Sequence, residues 1–258
     1  MLNRFILFSL ARSGSTTLMR VLNCHTGIRC INEPFNPSNF DGRYFRRVSD
    51  LASLADALTD IWANFNGIKH VWHALGWPFT HKPQFNQHIL LQAAPRVLLL
   101  QRRNILRRVV SSQISEQTKV WSAVCESDRD RVRSFDFKPL DLEWLQWQLE
   151  FERDAIAKQK QLLEADGVAY LELWYEDLYE TAQDWQQQVT KVNEIITFLG
   201  GDAVTDEATV AKMRELFNPE NTKLNSHATY RRIPEIEKVE ERFGSDETGW
   251  LFRESYTH

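Results

Sequence analysis

Arg12-Ser13-Gly14-Ser15-Thr16-Thr17 packs a guanidinium, four hydroxyls and a glycine into six consecutive residues. That mixture suits the binding of an oxyanion. Glycine permits a tight backbone turn, and the hydroxyls and amides then sit at a helix start, where unsatisfied N–H groups and the helix dipole favour negative charge. Arg12 adds a planar, permanently charged fork. The same residues also fit an ordinary strand-to-helix turn with Ser or Thr as the cap. The lysine of Gly-Lys-Ser/Thr, which serves the β- and γ-phosphates of a triphosphate, is missing. No obvious aspartate stands at a strand end to hold Mg²⁺, so a nucleotide kinase or GTPase is disfavoured.

A second anionic site is suggested by Leu98-Leu99-Leu100-Gln101-Arg102-Arg103-Asn104 and, eight residues beyond Arg103, Ser111. Eight residues of continuous helix span about 12 Å. For Arg103 and Ser111 to reach one phosphate, the helix must begin after Asn104. Alternatively Arg102, Arg103, Arg107 and Arg108 form a solvated helix face, or a nucleic-acid patch, which a net charge of −4 argues against. Between the two arginine-bearing stretches lies Arg29-Cys30-Ile31-Asn32-Glu33-Pro34. Glu33 is a competent general base for a hydroxyl acceptor if the fold positions it, and a solvated loop carboxylate if not. His25, after the first helix, reads as a capping or surface histidine.

These motifs carry a resemblance. Arg-Ser-Gly-Ser-Thr-Thr after a strand resembles the 5′-phosphosulfate loop of sulfotransferases that use 3′-phosphoadenosine 5′-phosphosulfate (PAPS). Arg103 and Ser111 resemble that family's 3′-phosphate motif, and Trp174-Tyr175-Glu176-Asp177-Leu178 its Tyr-Glu-Asp-Leu segment. The stretch around Glu33 resembles that of protein-tyrosine and carbohydrate sulfotransferases, whose base is a glutamate. Ser111 with Glu116-Gln117-Thr118-Lys119-Val120-Trp121, and Gly67-Ile68-Lys69, are similar to bacterial sugar sulfotransferases of the trehalose and nodulation-factor type. Lys223-Leu224-Asn225-Ser226 is similar to a late loop that closes over the cofactor in tyrosyl-protein enzymes, and fits an exposed loop lysine equally well.

The resemblance implies in-line transfer of a sulfuryl group from PAPS to a hydroxyl on a carbohydrate or other small molecule, with no metal and no nucleic acid. Glu33 and Arg12 would be catalytic. Arg12, Ser13, Gly14, Ser15, Thr16, Thr17, Arg103, Ser111, Tyr175 and Lys223 would bind the donor. Transfer to a peptide tyrosine, a module that holds a nucleotide without chemistry, and a small-molecule kinase that has lost the usual lysine remain as alternatives.

The elements that must position these residues follow from hydrophobic patterning. Arg4–Leu10 and Val97–Leu100 are short apolar runs, as expected of strands buried on both faces. Gly67–Trp72 and Ala169–Leu173 read as further strands. Helices are expected over about 16–23, 51–64, 105–121, 140–165, 184–199 and 206–217; residues 36–50, 73–95 and 122–139 read as loops that build the acceptor pocket. Trp72, Trp77 and Trp121 are the tryptophans whose neighbours suggest sugar stacking. Strands alternating with helices predict an α/β, P-loop-like three-layer fold with a central parallel sheet flanked by helices. Ligands bind such sheets beyond the carboxyl ends of the strands.

At 258 residues, with 43% hydrophobic and 26% charged, the chain is expected to form a single domain over 1–258. Cys24, Cys30 and Cys125 lack metal-site spacing and read as reduced thiols. Phe5–Leu10 is far too short for a membrane helix, and a cytoplasmic setting is the expectation.

Overall fold

The computed structural model describes residues 2–38, 43–73, 75–122, 125–180, 185–218 and 226–253, so Lys223 lies outside the described residues. The chain divides into two compact units, Met1–Gln101 with Ala157–Phe217, and Arg102–Ile156 with Asn218–His258.

The first unit is built on five parallel strands: β1 (Phe5–Leu10), β2 (Cys30–Asn32), β3 (Gly67–Trp72), β4 (Arg96–Gln101) and β5 (Ala169–Trp174). They lie in the order β2-β3-β1-β4-β5, which puts β1 at the centre. Every residue of β1 is buried, as its unbroken apolar run requires of a strand covered on both faces. Because side chains alternate across a strand, Phe5 and Leu7 face one layer and Ile6 and Phe8 the other. Phe5 and Leu7 join a core with Leu18 and Leu22 of α1 (Ser15–Leu22). Ile195 and Ile196 of α8 (Trp185–Phe198) and Met213 of α9 (Glu207–Phe217) complete it.

Two further helices stand apart from that core: α2 (Leu51–Trp62), capped by a reciprocal Asp50–Ser53 pair, and α3 (Gln84–Gln92). The α/β three-layer expectation holds. Residues 73–95 are corrected in part, because they contain α3, whose polar sequence hides the buried Phe85, Ile89 and Leu90. Trp72 is also corrected. It is buried and stacked on Phe8 at 5.6 Å, a core ring and not a sugar platform.

The second unit has its own core. Leu106, Val109, Val110 and Ile114 of α4 (Ile105–Thr118) pack with Leu145 and Leu149 of α6 (Leu142–Ala165) and with Tyr230, Ile236 and Leu251. Residues 122–139 hold α5 (Glu126–Ser134), another departure from the loop expectation. Only Val132 of α5 is buried, so no apolar periodicity announces it. Arg107 and Arg108 are buried as well, which removes them from a solvated face. Arg108 pairs with the buried Glu152, and Arg107 donates to the carbonyls of Leu251 and Arg253.

Candidate functional site

The turn after β1 carries the densest chemistry in the first unit. Its glycine is required twice over. Gly14 sits at φ 83, in the left-handed region that side chains disfavour. A Cβ there would also approach Tyr179 to 2.7 Å and Tyr175 to 3.0 Å. Those two rings belong to α7 (Tyr175–Tyr179), which continues directly from β5, and Tyr179 donates its hydroxyl to the Gly14 carbonyl at 2.9 Å. Burial raises the Tyr179 hydroxyl well above its ordinary pKa, so it stays a donor. Arg12, half-buried, takes φ 67, a left-handed conformation costing about 1–3 kcal/mol for a non-glycine residue.

The helix that follows is left uncapped. Gly14 offers no side chain, and the first α1 amide with a main-chain acceptor is Leu18, which donates to the Gly14 carbonyl at 3.1 Å. Among the described residues the amides from Ser13 to Thr17 find no acceptor. Ser13 Oγ is buried and also without a hydrogen-bond partner. A cluster of unspent donors at a helix start suits an anion, since N–H groups and the helix dipole there favour negative charge.

Beside the turn lies a buried ion pair. Lys69 stands on β3 in register with Leu7 of β1 and Asn32 of β2. That register sends its side chain to the α1 face of the sheet. Its ammonium donates to Thr16 Oγ1 at 2.8 Å, Asn32 Oδ1 at 3.0 Å and Glu33 Oε1 at 2.5 Å. Three donors meet three acceptors, which is what a lysine buried to 2% exposure needs. Glu33 extends the β2–β3 pairing by donating its amide to the Lys69 carbonyl at 3.0 Å. Its second carboxylate oxygen accepts from Asn36 at 2.7 Å. Like Arg12, Glu33 is held at positive φ, here 45.

Burial alone pushes the Glu33 carboxyl up. The Lys69 charge, with hydrogen bonds from Lys69 and Asn36, outweighs that and holds its pKa below the ordinary carboxylate value. Glu33 is therefore ionised at neutral pH. Next to Lys69 on the strand, His70 points to the opposite face, among Phe8 and Phe35, and shares a 2.9 Å hydrogen bond with Asn86. Burial pushes its pKa down to about 4, so it is neutral.

The structure thus brings Ser13, Gly14, Thr16, Tyr175 and Glu33 into one linked neighbourhood with Arg12 in the same turn. Lys69, Asn32, Asn36 and Tyr179 join them, and none of these four was singled out for the site. The signals for them are the Gly67-Ile68-Lys69 match, with a lysine amid strand residues, and the place of Asn32 beside Glu33. His25 accepts from the Gly27 amide at 3.0 Å through Nδ1, and its Nε2 shares a 3.1 Å hydrogen bond with the Asp202 carbonyl.

In the second unit, α4 starts at Ile105 with Asn104 as its cap, as the Arg103–Ser111 spacing requires. Ser111 is buried in the second turn and Arg103 half-buried before the cap. The amides of this helix start are all spent. Ile105 donates to the Arg103 carbonyl, Leu106 to the Thr248 carbonyl, Arg107 to the Asn104 side chain and Arg108 to the Asn104 carbonyl. An anion here would depend on side chains.

No family model matches the chain, and no curated protein matches it. Among the described residues no helix is long and apolar enough to cross a membrane, and no cluster of His, Cys, Asp and Glu could hold a metal ion.

Proposed function

We propose that the protein is a sulfotransferase that moves a sulfuryl group from PAPS to a hydroxyl acceptor, most simply a carbohydrate. The observation that carries this reading is a cluster of unpaired donors at Ser13–Thr17 linked through one lysine to an ionised carboxylate. The donor would supply an activated sulfur, the S–O bond to its 5′-phosphate breaking as a bond to the acceptor oxygen forms. Arg12 and the unspent amides stabilise charge on the leaving phosphate. Glu33 accepts the proton of the acceptor hydroxyl. Arg103 and Ser111 take the 3′-phosphate, a role that rests on their motif. The Lys69 ion pair lowers the basicity of Glu33, which favours a second reading in which a nucleotide is held without chemistry.

Thermal protection separates nucleotide classes. Adenosine 3′,5′-bisphosphate should raise the melting temperature without Mg²⁺, since a ligand that binds only the folded state stabilises it. Protection by Mg-ATP with none from the bisphosphate would sink the sulfotransferase reading. Radiolabelled PAPS offered with a panel of sugars, phenols and tyrosyl peptides then identifies the acceptor, and Glu33→Gln should keep bisphosphate binding while losing transfer. If no acceptor is labelled, the binding-module reading stands.

A further inference from the structure

The loop 12–17 lacks the lysine that a triphosphate loop carries within its own sequence. A lysine nonetheless reaches it from β3. Lys69 donates to Thr16 Oγ1, so that oxygen's lone pair is occupied and its O–H must point elsewhere. Among the described residues that hydroxyl has no acceptor. Thr16 sits in the first turn of α1, two residues beyond Gly14, beside the unspent amides and the buried, unpartnered Ser13 hydroxyl. A hydroxyl that accepts from an ammonium is polarised into a stronger donor, because hydrogen bonds in a chain reinforce one another at low dielectric.

We propose that Lys69 supplies the loop with the positive charge its own sequence lacks, relayed through the Thr16 hydroxyl, and that Glu33 competes with a bound anion for that charge. Lys69 is a positioning residue here, since all three of its donors are taken. The competing groups are few. Lys69 and Glu33 form the ion pair, Asn32 and Asn36 complete its hydrogen bonds, and neutral His70 faces away on the same strand. With the cradle empty, the carboxylate holds most of the ammonium's field. With an anion present, that field is divided and Glu33 becomes the stronger base. By linkage the effect is reciprocal, so removing the Glu33 charge should tighten anion binding. The inference rests on the reading of 12–17 as the donor loop and Glu33 as the base.

Calorimetric titration with inorganic pyrophosphate tests it on the intact chain. Lys69→Met and Thr16→Val should each weaken binding by about tenfold or more, the scale of a charge-assisted hydrogen bond. The double variant should lose little beyond either single one, because both changes cut the same relay. Thr16→Ser should bind as the wild type does. Glu33→Gln should tighten binding by about threefold or more, an effect opposite in sign to any loss of structure. Wild-type affinity in a folded Lys69→Met, fully additive losses, or weaker binding in Glu33→Gln would each overturn the proposal. So would a wild type that binds no pyrophosphate. Should Lys69→Met fail to fold, the Thr16 pair and Glu33→Gln decide alone. Adenosine 3′,5′-bisphosphate in a parallel arm separates the two readings. Pyrophosphate binding that depends on Lys69, with no gain from the nucleotide, leaves the relay standing and removes PAPS.

Discussion

Two strand-to-helix turns, β1 to α1 and β4 to α4, look alike in sequence, each a strand running into polar residues and an arginine. In the structure they end differently. At the start of α4, Asn104 caps with its side chain and Thr248 supplies a carbonyl, so every early amide is used. At the start of α1, Gly14 caps with nothing, and the donors from Ser13 to Thr17 remain unspent among the described residues. Helix dipole and amide geometry are common to both. What distinguishes the two turns is the packing around them, which leaves one set of donors without acceptors and satisfies the other.

The sharpest way to break this comparison is to add one methyl group in the first turn and one against the second. Gly14→Ala should abolish pyrophosphate binding, since it forces a Cβ at φ 83 against Tyr179. Gly249, itself at φ 89, lies in the segment packed against Asn104 of the other turn, and Gly249→Ala should lower the melting temperature with pyrophosphate affinity unchanged. Next in size is Lys69→Met, which removes the cation from a half-buried carboxylate that keeps Asn36, and should cost about 2–3 kcal/mol in denaturant unfolding.

Acid should come third. His70 is neutral in the fold with its pKa near 4, against 6.5 ordinarily, so the unfolded chain binds the extra proton in that window. Stability is then lost as pH falls from 6.5 towards 4, by up to about 3 kcal/mol. Glu33 adds to the loss in the same direction. Its lowered pKa stabilises above the unfolded value, and that contribution fades as pH falls through the folded one. His70→Asn should flatten the upper part of the profile, and an unchanged profile would count against a neutral buried histidine.

Smaller effects sharpen the contrast between the turns. Asn104→Ala removes a cap and should cost about 1–2 kcal/mol of stability without touching pyrophosphate affinity. Ser13→Ala removes a buried hydroxyl that has no partner, so the empty protein should be unchanged or slightly more stable. Its pyrophosphate binding should nevertheless weaken. Loss of stability with unchanged binding would mean that Ser13 serves the fold alone.

Local signals made much of the first unit legible. Phe5–Leu10 and Arg96–Gln101 are apolar runs bounded by polar turns, and Leu51–Trp62 shows helical periodicity, so their types follow from patterning. Cys30–Asn32 escapes notice because three residues carry no period, although this strand sets the position of Glu33. Gln84–Gln92 and Glu126–Ser134 escape because their buried residues are few among polar ones. The register that joins Lys69 to Leu7 and Asn32 across three separate strands is no part of any one segment's composition.

By itself the sequence determined that residues 12–17 form a glycine turn leading into a helix, and that a second helix starts after Asn104. Both depend on near neighbours, where glycine's freedom and the Asn cap act over a few residues. Only the tertiary structure decided which helix start keeps its donors, and that Lys69 stands between Thr16 and Glu33. Those outcomes depend on strand register and on which distant segments pack over each turn, and such contacts are made only when the chain folds.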